Sequence, residues 1–349
     1  MTRGHEELAL LNANLAVKTV DDQHFWSLPL CKDAAGQYRQ IKEQRIVSRG
    51  EIISLNTRQD LLTEIFKKEG LPIEENEPID VYNPAVIRNG SLTEFLGRAE
   101  ARFTKHSTLI LHFVLHDGVW IPQPTIVEKL EDPALMYLRD TMVFAGVRLD
   151  ANAANQRMEY KTVFKTGRTL QQLSHLRIEG PIGMKDIRFV QLRNSIGVYT
   201  RPQGELGGLG QIGFTTIPSL DYLTADIIQN APLICASFPE GEWGGANEAQ
   251  LLPDGRVLVL GHRAYRDEKN ARHYYPWMFI HDPESGEIQD LGILAESADF
   301  PPGVAKSWDL EDVLFSAGFD LLDDTLVLYV GVRDTQVGKI VLKNLLIDT

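Results

Sequence analysis

Residues 251–260 read LLPDGRVLVL, and this stretch shows the pattern that decides the fold: a tight turn followed by a short apolar strand. The PDG at 253–255 has turn-forming residues, with Gly supplying positive φ, and RVLVL is rich in residues that favour strands. Similar turns lie farther out in both directions, HDG at 116–118 and DPESG at 282–286. Turns of this kind between apolar stretches predict antiparallel strands joined as hairpins.

Strands of this type account for most of the chain. Roughly twenty of them follow one another at spacings of about 8–14 residues, which is typical of a large all-β architecture. Radial repetition of four-stranded antiparallel sheets leaves only short edges, so we predict an all-β, five-bladed β-propeller. No linker or low-complexity segment divides the chain, which predicts a single domain over residues 1–349. The groups of strands fall near residues 80–128, 130–178, 184–238, 244–294 and 309–343.

The last group shows only three convincing strands, which leaves its sheet one strand short. Residues 45–55, RIVSRGEIISL, could supply the missing strand, so residues before about 80 are predicted to form an N-terminal extension that helps to close the ring. Helical periodicity is scarce. It predicts a helix over residues 57–68, TRQDLLTEIFKK, and a weaker one over 220–230 with Ser219 as its cap.

Composition excludes several classes of function. The 349 residues are 43% hydrophobic and 24% charged, as in ordinary globular proteins, and the net charge is −13. Nucleic acid and anionic membrane surfaces repel such a chain, whereas a neutral sugar is not penalised. The sequence shows no apolar run of membrane-spanning length and no signal-peptide pattern, so we predict a cytoplasmic protein. It leaves the oligomeric state open.

Three sequence features resemble functional motifs without the context that those motifs need. GxGxxG at 208–213 precedes FTTIP, which indicates a strand rather than the helix of a dinucleotide site. His112 and His116 lie on a strand, about 13 Å apart on one face, too far for a shared metal ion. Cys31 and Cys235 are too few for a zinc site or a disulfide framework. We therefore predict no metal and no cofactor.

Polar groups recur at the starts or ends of the predicted strands, among apolar neighbours. Buried charges are costly unless they are paired or functional, and the first strands of propeller blades line the central axis, so these groups are predicted to converge on one cavity. A purely structural alternative is an ion-pair ladder, since Arg98, Glu100 and Arg102 alternate along one strand face. The motifs are YNPA at 82–85, GRAEAR at 97–102, LEDP at 130–133, GMKDIR at 183–188, TRPQG at 200–204, WGGANE at 243–248 and GHRA at 261–264.

These motifs carry two resemblances to known families. The order Asn83-Pro84, Arg98-x-Glu100, Glu131-Asp132-Pro133, Lys185-Asp186 and Arg201-Pro202 resembles the five-bladed propeller glycosidases, most of all the mannoside phosphorylases and mannosidases of glycoside hydrolase family 130. Over about residues 80–345 the chain is more closely similar to the domain-of-unknown-function 1861 family. That second likeness rests on PIGMKDIRFV, TRPQG, WGGANEAQLLPDGRVLVLGHRAY and DLEDVLFSAGF. Both resemblances imply a propeller fold, and the resemblance to family 130 also implies carbohydrate chemistry.

The resemblance to family 130 implies specific roles for individual residues. It makes Asp132 the general acid, protonating the glycosidic oxygen through a sugar hydroxyl. It also implies that Lys185, Arg201 and His262 hold phosphate where phosphate is used. The sequence departs from the family pattern in WGGANE, where Glu248 adds a carboxylate. That departure weakens the phosphorylase interpretation and leaves a hydrolase open.

Glycoside cleavage needs two carboxyl groups, or one carboxyl group and a bound phosphate nucleophile. The first hypothesis is an inverting glycosidase acting on a short oligosaccharide, with Asp132 as acid and Glu248 as base. Trp243 is predicted to stack on the sugar. The alternatives are a glycoside phosphorylase that uses inorganic phosphate and a non-catalytic sugar-binding or scaffold propeller. The other residues predicted to bind substrate are Asn83, Arg98, Glu100, Glu131, Asp186 and Asn247.

Overall fold

A computed structural model of the chain describes residues 45–88, 92–151, 158–234, 238–344 and 346. Nineteen strands dominate the described residues, and the prediction of an all-β protein is confirmed. In chain order the strands are β1 (Ile46–Ile52), β2 (Ile79–Val86), β3 (Glu94–Ala101), β4 (Thr108–His116), β5 (Val119–Glu128), β6 (Glu131–Leu138), β7 (Thr141–Ala151), β8 (Met158–Gly167), β9 (Ser174–Glu179), β10 (Arg188–Gln191), β11 (Ile196–Thr200), β12 (Gly213–Ile217), β13 (Glu242–Leu251), β14 (Val257–Arg266), β15 (Arg272–His281), β16 (Ile288–Ile293), β17 (Asp312–Leu321), β18 (Thr325–Val332) and β19 (Gln336–Lys343).

Consecutive strands pair antiparallel in four sheets. One sheet holds β2–β5, a second holds β6–β9, and a third holds β10–β12. The fourth has eight strands, in which β13–β16 and β17–β19 are two antiparallel sets joined by a short parallel contact between β15 and β17. The turn at residues 253–255 forms as predicted. The amide of Leu252 donates to the carbonyl of Arg256, and Gly255 takes φ 100° between β13 and β14.

The first strand of each set packs against the first strand of the next. Strand β2 packs on β6, β6 on β10, β10 on β13 and β13 on β17, and β17 packs back on β2. The apolar core lies between neighbouring sheets and holds these first strands against one another. The chain order of the strands therefore brings motifs that are far apart in sequence to one place.

Strand β1 joins the two ends of the described chain. It pairs antiparallel with β19, Ile46 opposite Leu342 and Ile52 opposite Gly338, and becomes the outer strand beside β17–β19. Helix α1 (Gln59–Lys68) follows it, as predicted, and buries Leu62 and Phe66 in the cluster that includes β2–β5.

The second predicted helix is shorter than expected. Helix α2 covers only Ala225–Gln229, and Thr224 caps it by accepting from the amide of Ile227 at 3.1 Å. Ser219 makes no side-chain cap. After GxGxxG the chain forms strand β12, as predicted, so no helix N-terminus is available there for a dinucleotide.

Several of the remaining sequence predictions concern residues outside the described ranges or single side chains. Cys31 and Cys235 lie outside the described residues. His112 is buried and contacts Glu94, whereas His116 is exposed beside Asp117, so the two histidines have different partners. Within the described part of the chain, no helix is long and apolar enough to cross a membrane.

Candidate functional site

Bulges and residues with positive φ set the direction of several polar side chains of the candidate site. The register of β2 against β3 shifts between Tyr82 and Ala85, and that of β6 against β7 shifts between Glu131 and Ala134. At these bulges Asn83 and Asp132 take positive φ, both 48°, and Asp186 takes φ 59° just before β10. Asn and Asp adopt this conformation more readily than most residues, and a bulge re-aims the side chain that it carries.

Arg98 on β3 connects three carboxylates. Its guanidinium contacts Glu100 at 2.9 Å, Glu131 at 2.8 Å and Asp132 at 3.1 Å. Lys306 approaches Glu100 at 2.5 Å and donates to the hydroxyl of Tyr82 at 3.3 Å. Burial raises the pKa of Glu100, but Arg98 and Lys306 outweigh it and leave that pKa lowered.

Asp132 lies where two cations and an amide meet. Besides Arg98, its carboxylate accepts a hydrogen bond from Asn83 Nδ2 at 3.1 Å and lies 3.5 Å from Lys185 Nζ. Burial raises the pKa of Asp132, but Lys185, Arg98 and Asn83 together hold it below the ordinary carboxyl range. Burial raises the pKa of the neighbouring Glu131. Asp132 is therefore ionised at neutral pH in the free protein.

Asp186 is the centre of a second ion cluster beside the first. Arg201 Nη1 donates to it at 3.0 Å, and Arg188 Nη2 lies 3.7 Å away. Burial raises the pKa of Asp186, but Arg201, Lys185 and His262 outweigh it, so the pKa is lowered. Lys185 contacts Asp132 of the first cluster, and its charge also lowers the pKa of Asp186 in the second.

Asn247 and His262 form a buried pair. His262 Nδ1 lies 2.7 Å from Asn247 Oδ1, and the imidazole stacks on Tyr274 with the ring centroids 5.5 Å apart. Burial lowers the pKa of His262 to about 3, which keeps the ring neutral. A Cβ on Gly245 would lie 2.9 Å from Arg201 Cδ and 3.1 Å from His262 Cε1. The GG of WGGANE thus lets these side chains come together.

Glu248 does not join these clusters. Asn247 is the extra residue of a bulge between Ala246 and Glu248, and the Glu248 side chain binds Arg88, Gln250 Nε2 at 3.1 Å and the amide of Phe319 at 3.1 Å. It lines a cavity of about 280 Å³ together with Arg88 and Gln250, and Asp132 is not part of that lining. This placement does not support Glu248 as the partner of Asp132.

Trp243 also differs from its predicted role. It is buried, its Nε1 donates to the hydroxyl of Tyr274 at 3.1 Å, and the two rings meet edge to face. Because Tyr274 stacks on His262, Trp243 supports the site from behind and offers no open face to a sugar.

A known protein family matches a segment of the chain that contains the described residues 58–88, 92–151, 158–234, 238–344 and 346. Residues 58–346 match the family described as protein of unknown function DUF1861. The chain belongs to this family. The resemblance deduced from the sequence motifs is thereby confirmed. No curated protein matches the sequence.

Solved structures relate this DUF1861 protein to enzymes of mannose metabolism. The mannose phosphorylase MPT-4 from Leishmania mexicana, in complex with phosphate ion, is 28% identical, with 89% of this chain and 93% of that chain covered and a TM-score of 0.74. MPT-1 from the same organism, a GDP-Man-dependent mannosyltransferase, is 25% identical, with 90% and 94% covered and a TM-score of 0.74. The β-1,2-mannobiose phosphorylase from Listeria innocua shares the fold at 16% identity, 79% and 93% covered, TM-score 0.58.

Sequence reasoning missed several residues of the DUF1861 site. Tyr82 and Arg188 lie inside motifs that were singled out, so their motifs were the available signal. Lys306 and Asp334 lie in loops that carry no motif. Asp334 is in the β18–β19 turn at φ 54°; burial raises its pKa and Arg98 lowers it, with a net rise. Within the described residues, its carboxyl makes no hydrogen bond or ion pair.

The described part of the chain contains no group of three His, Cys, Asp or Glu side chains arranged to hold a metal ion. Each carboxylate of the two clusters instead has Arg, Lys or amide partners. These charged side chains can bind a polar ligand, neutral or anionic, and can transfer a proton to it or from it.

Gly331→Ala is expected to disturb the site through Asn83. A Cβ at Gly331 would lie 1.9 Å from Asn83 Oδ1 and 3.0 Å from its backbone N. The clash should move Asn83 away from Asp132 and cost about 1–3 kcal/mol of stability, as overpacking does. Thermal unfolding would measure the loss of stability, and the KM for the substrate found by the assays described below would measure the effect on the site.

The control for that variant is Gly286→Ala in an exposed turn. There an added Cβ meets nothing within 4 Å, although φ is +76°, so only backbone strain changes. An unaltered KM in Gly331→Ala would contradict the packing argument.

Proposed function

We propose that this DUF1861 protein is a glycoside phosphorylase that cleaves a mannoside with inorganic phosphate. The observation that carries the proposal is the site around Asp132: one carboxylate is held by Asn83 and Arg98 and lies 3.5 Å from the ammonium of Lys185. Glu248, the expected second carboxylate, lies in a different cluster. One carboxyl group plus bound phosphate cleaves a glycoside without a second catalytic carboxylate.

The comparisons support both the sugar and the co-substrate of this proposal. The 28% identical Leishmania protein is a mannose phosphorylase in complex with phosphate ion, and the 25% identical one is a mannosyltransferase. Both names concern mannose, which favours a manno-configured substrate here. The phosphate in the first complex favours phosphorolysis over hydrolysis.

In the proposed reaction a phosphate oxygen attacks the anomeric carbon and the glycosidic C–O bond breaks. Asp132 gives its proton to the leaving oxygen through a sugar hydroxyl, so the products are a glycosyl phosphate and a free acceptor sugar, with inversion. Lys185 holds the phosphate. Asp186 and the carbonyl of Gly244 hold Arg201 in place. Its positive charge therefore attracts the phosphate while its side chain stays in one position.

The remaining polar groups suit sugar hydroxyls. The free carboxyl of Asp334 can accept from two neighbouring hydroxyls, and Lys306 and Asn83 can donate. Paired carboxylates such as Glu100 and Glu131 then act mainly by fixing Arg98. Trp243 and the Asn247–His262 pair position the wall behind the phosphate.

The fold proposal underlies the site proposal. We take the strand sets as five blades of a propeller in one domain, with β1 closing the fifth blade. Support comes from the inner strands, each of which packs on the next and the last on the first, and from the antiparallel pairing of β1 with β19.

One observation favours a second candidate, an inverting glycosidase. Asp334 is a carboxyl without a counter-ion, and it is near enough for its pKa to respond to both Arg98 and Asp132. In this candidate Asp334 serves as the base in place of Glu248. In that case phosphate would be dispensable and Asp334→Asn would abolish hydrolysis.

The test is a panel of mannosides and other short glycosides, assayed with and without inorganic phosphate. We expect product only with phosphate, as a glycosyl phosphate, and the reverse reaction from mannose 1-phosphate and an acceptor sugar. Phosphate-independent release of reducing sugar would establish the hydrolase. Transfer of mannose to an acceptor sugar from GDP-mannose, and not from any other donor tested, would establish a transferase. Sugar binding without turnover would leave a binding protein.

A further inference from the structure

Asp132 has the wrong charge for a proton donor in the free protein. Two cations, Arg98 at 3.1 Å and Lys185 at 3.5 Å, contact its carboxylate, and Asn83 donates to it. An acid catalyst must carry its proton before the reaction begins. Something that arrives with the substrates must therefore change the charge around Asp132.

The groups that face Asp132 differ in how firmly they are held. Arg98 is also bound to Glu100 and Glu131, and it is buried. The next cation, Arg188, is bound to Asp186 and to the carbonyl of Asn247. Of the described cations that face Asp132, Lys185 is the most exposed, at 36% of its side chain. Three groups contact Asp132: Asn83 from β2, Arg98 from β3 and Lys185 from the loop before β10. Three more are near enough to interact with its charge: Glu131 from its own strand, Arg188 from β10 and Asp334 from the β18–β19 turn.

We infer that phosphate bound at Lys185 causes Asp132 to take up the proton that it later donates. This inference rests on the proposed phosphorolysis and concerns the same site. The phosphate oxygens take over the Lys185 ammonium, so Asp132 loses one of its two counter-charges. The anion also places negative charge within a few ångströms of the carboxylate, in surroundings where charges interact more strongly than in water. Asp132 then binds one proton from solvent, and no other bond forms or breaks.

Because of this linkage, Asp132 becomes a proton donor only when phosphate is bound. Without phosphate, Asp132 stays ionised and cannot assist departure of the acceptor sugar. Water alone does not neutralise Lys185, so the protein avoids hydrolysing its glycoside when phosphate is absent. The lowered pKa of Asp132 in the free protein is then part of the selectivity for phosphate.

The linkage can be counted by titrating the full-length protein with inorganic phosphate in a calorimeter. The observed heat is measured at one pH in buffers of different ionisation enthalpy, and its slope gives the protons taken up per phosphate. Phosphate has an ionisation of its own, so the quantity of interest is wild type minus Asp132→Asn. We expect a difference approaching one proton at pH 7. Glu248→Gln, which alters a carboxylate outside the site, should match wild type.

A second variant separates Lys185 from phosphate binding. Lys185→Gln removes the counter-charge permanently, so the infrared carbonyl band of a protonated carboxyl should be present near neutral pH without phosphate. That band should be lost in Lys185→Gln/Asp132→Asn.

Each result bears on a definite claim. Equal proton uptake by wild type and Asp132→Asn, with phosphate bound by both, would overturn the linkage while leaving phosphorolysis intact. Failure of wild type to bind phosphate at all would overturn the linkage and the proposed function together. An unchanged carboxyl band in Lys185→Gln would show that Lys185 does not control the charge of Asp132.

Discussion

Asp132→Asn is expected to lower kcat for phosphorolysis by roughly 10²–10⁴-fold, the range typical of a lost acid catalyst. The amide keeps the shape of the side chain and can still accept from Asn83 and Arg98, so sugar binding should change little. What disappears is the proton that the leaving oxygen needs. Steady-state kinetics on the substrate identified by the panel, with KM and kcat determined separately, measures the loss.

Glu248→Gln is the matched control, since it also replaces one carboxylate by an amide of the same shape. Glu248 binds Arg88, Gln250 and the Phe319 amide, away from Asp132, so kcat should stay within a few-fold of wild type. Thermal unfolding of both variants checks that the fold is kept. Near wild-type turnover in Asp132→Asn, or a collapse of kcat in Glu248→Gln, would reverse the two assignments.

Arg98→Met is expected to cost the most stability, about 3–5 kcal/mol, because removing one member of a buried ionic cluster leaves its partners uncompensated. Three carboxylates, Glu100, Glu131 and Asp132, lose the same guanidinium at once. Denaturant unfolding of wild type and variant at pH 7 measures the difference. Arg58→Met serves as control, because the Arg58–Asp60 pair is exposed, and it should be indistinguishable from wild type.

The cost of Arg98→Met should depend on pH. Glu100 has a pKa below its ordinary value in the folded protein, so its contribution to stability is present above the ordinary carboxyl pKa and is lost as pH falls through the folded value. In the variant, protonation relieves the unpaired carboxylates. The gap in stability should therefore narrow as pH is lowered from 7 towards 4. A gap that widens on acidification would contradict the assignment of charge in this cluster.

Local patterns in the sequence were sufficient to predict the strands and several of the site residues. Apolar stretches between Gly- and Asp-containing turns mark hairpins wherever they occur, because the turn conformation depends on a few adjacent residues. Asn83-Pro84 and Asp132-Pro133 mark bulges for a similar reason, since positive φ favours Asn and Asp and a following Pro does not donate to a ladder. These signals are local and can be read from one chain.

Contacts made by tertiary packing could not be predicted in this way. In a regular strand Asn247 and Glu248 point to opposite faces, and nothing in WGGANE tells which residue a bulge will absorb. The sequence therefore could not show that Glu248 contacts Arg88, Gln250 and the amide of Phe319 rather than the groups around Asp132. Lys306 and Asp334 reach the site from loops with ordinary loop composition, so only the three-dimensional arrangement shows them. Trp243 is buried because Tyr274 covers it, a partner 31 residues away.

The pairing of β1 with β19 also limits how early during synthesis the two strands can pair. Ile46 lies opposite Leu342, so the first described strand leaves the ribosome long before its partner has been made. Contacts between such distant segments form slowly, because a long loop must close before they repay its entropy. Until β19 has been made, the edges that it will cover on β1 and on the β17–β18 hairpin stay unpaired, and unpaired edges favour association with other chains. Nascent chains that stop short of β19 should therefore be the aggregation-prone species, and their tendency to aggregate should fall once β19 has emerged.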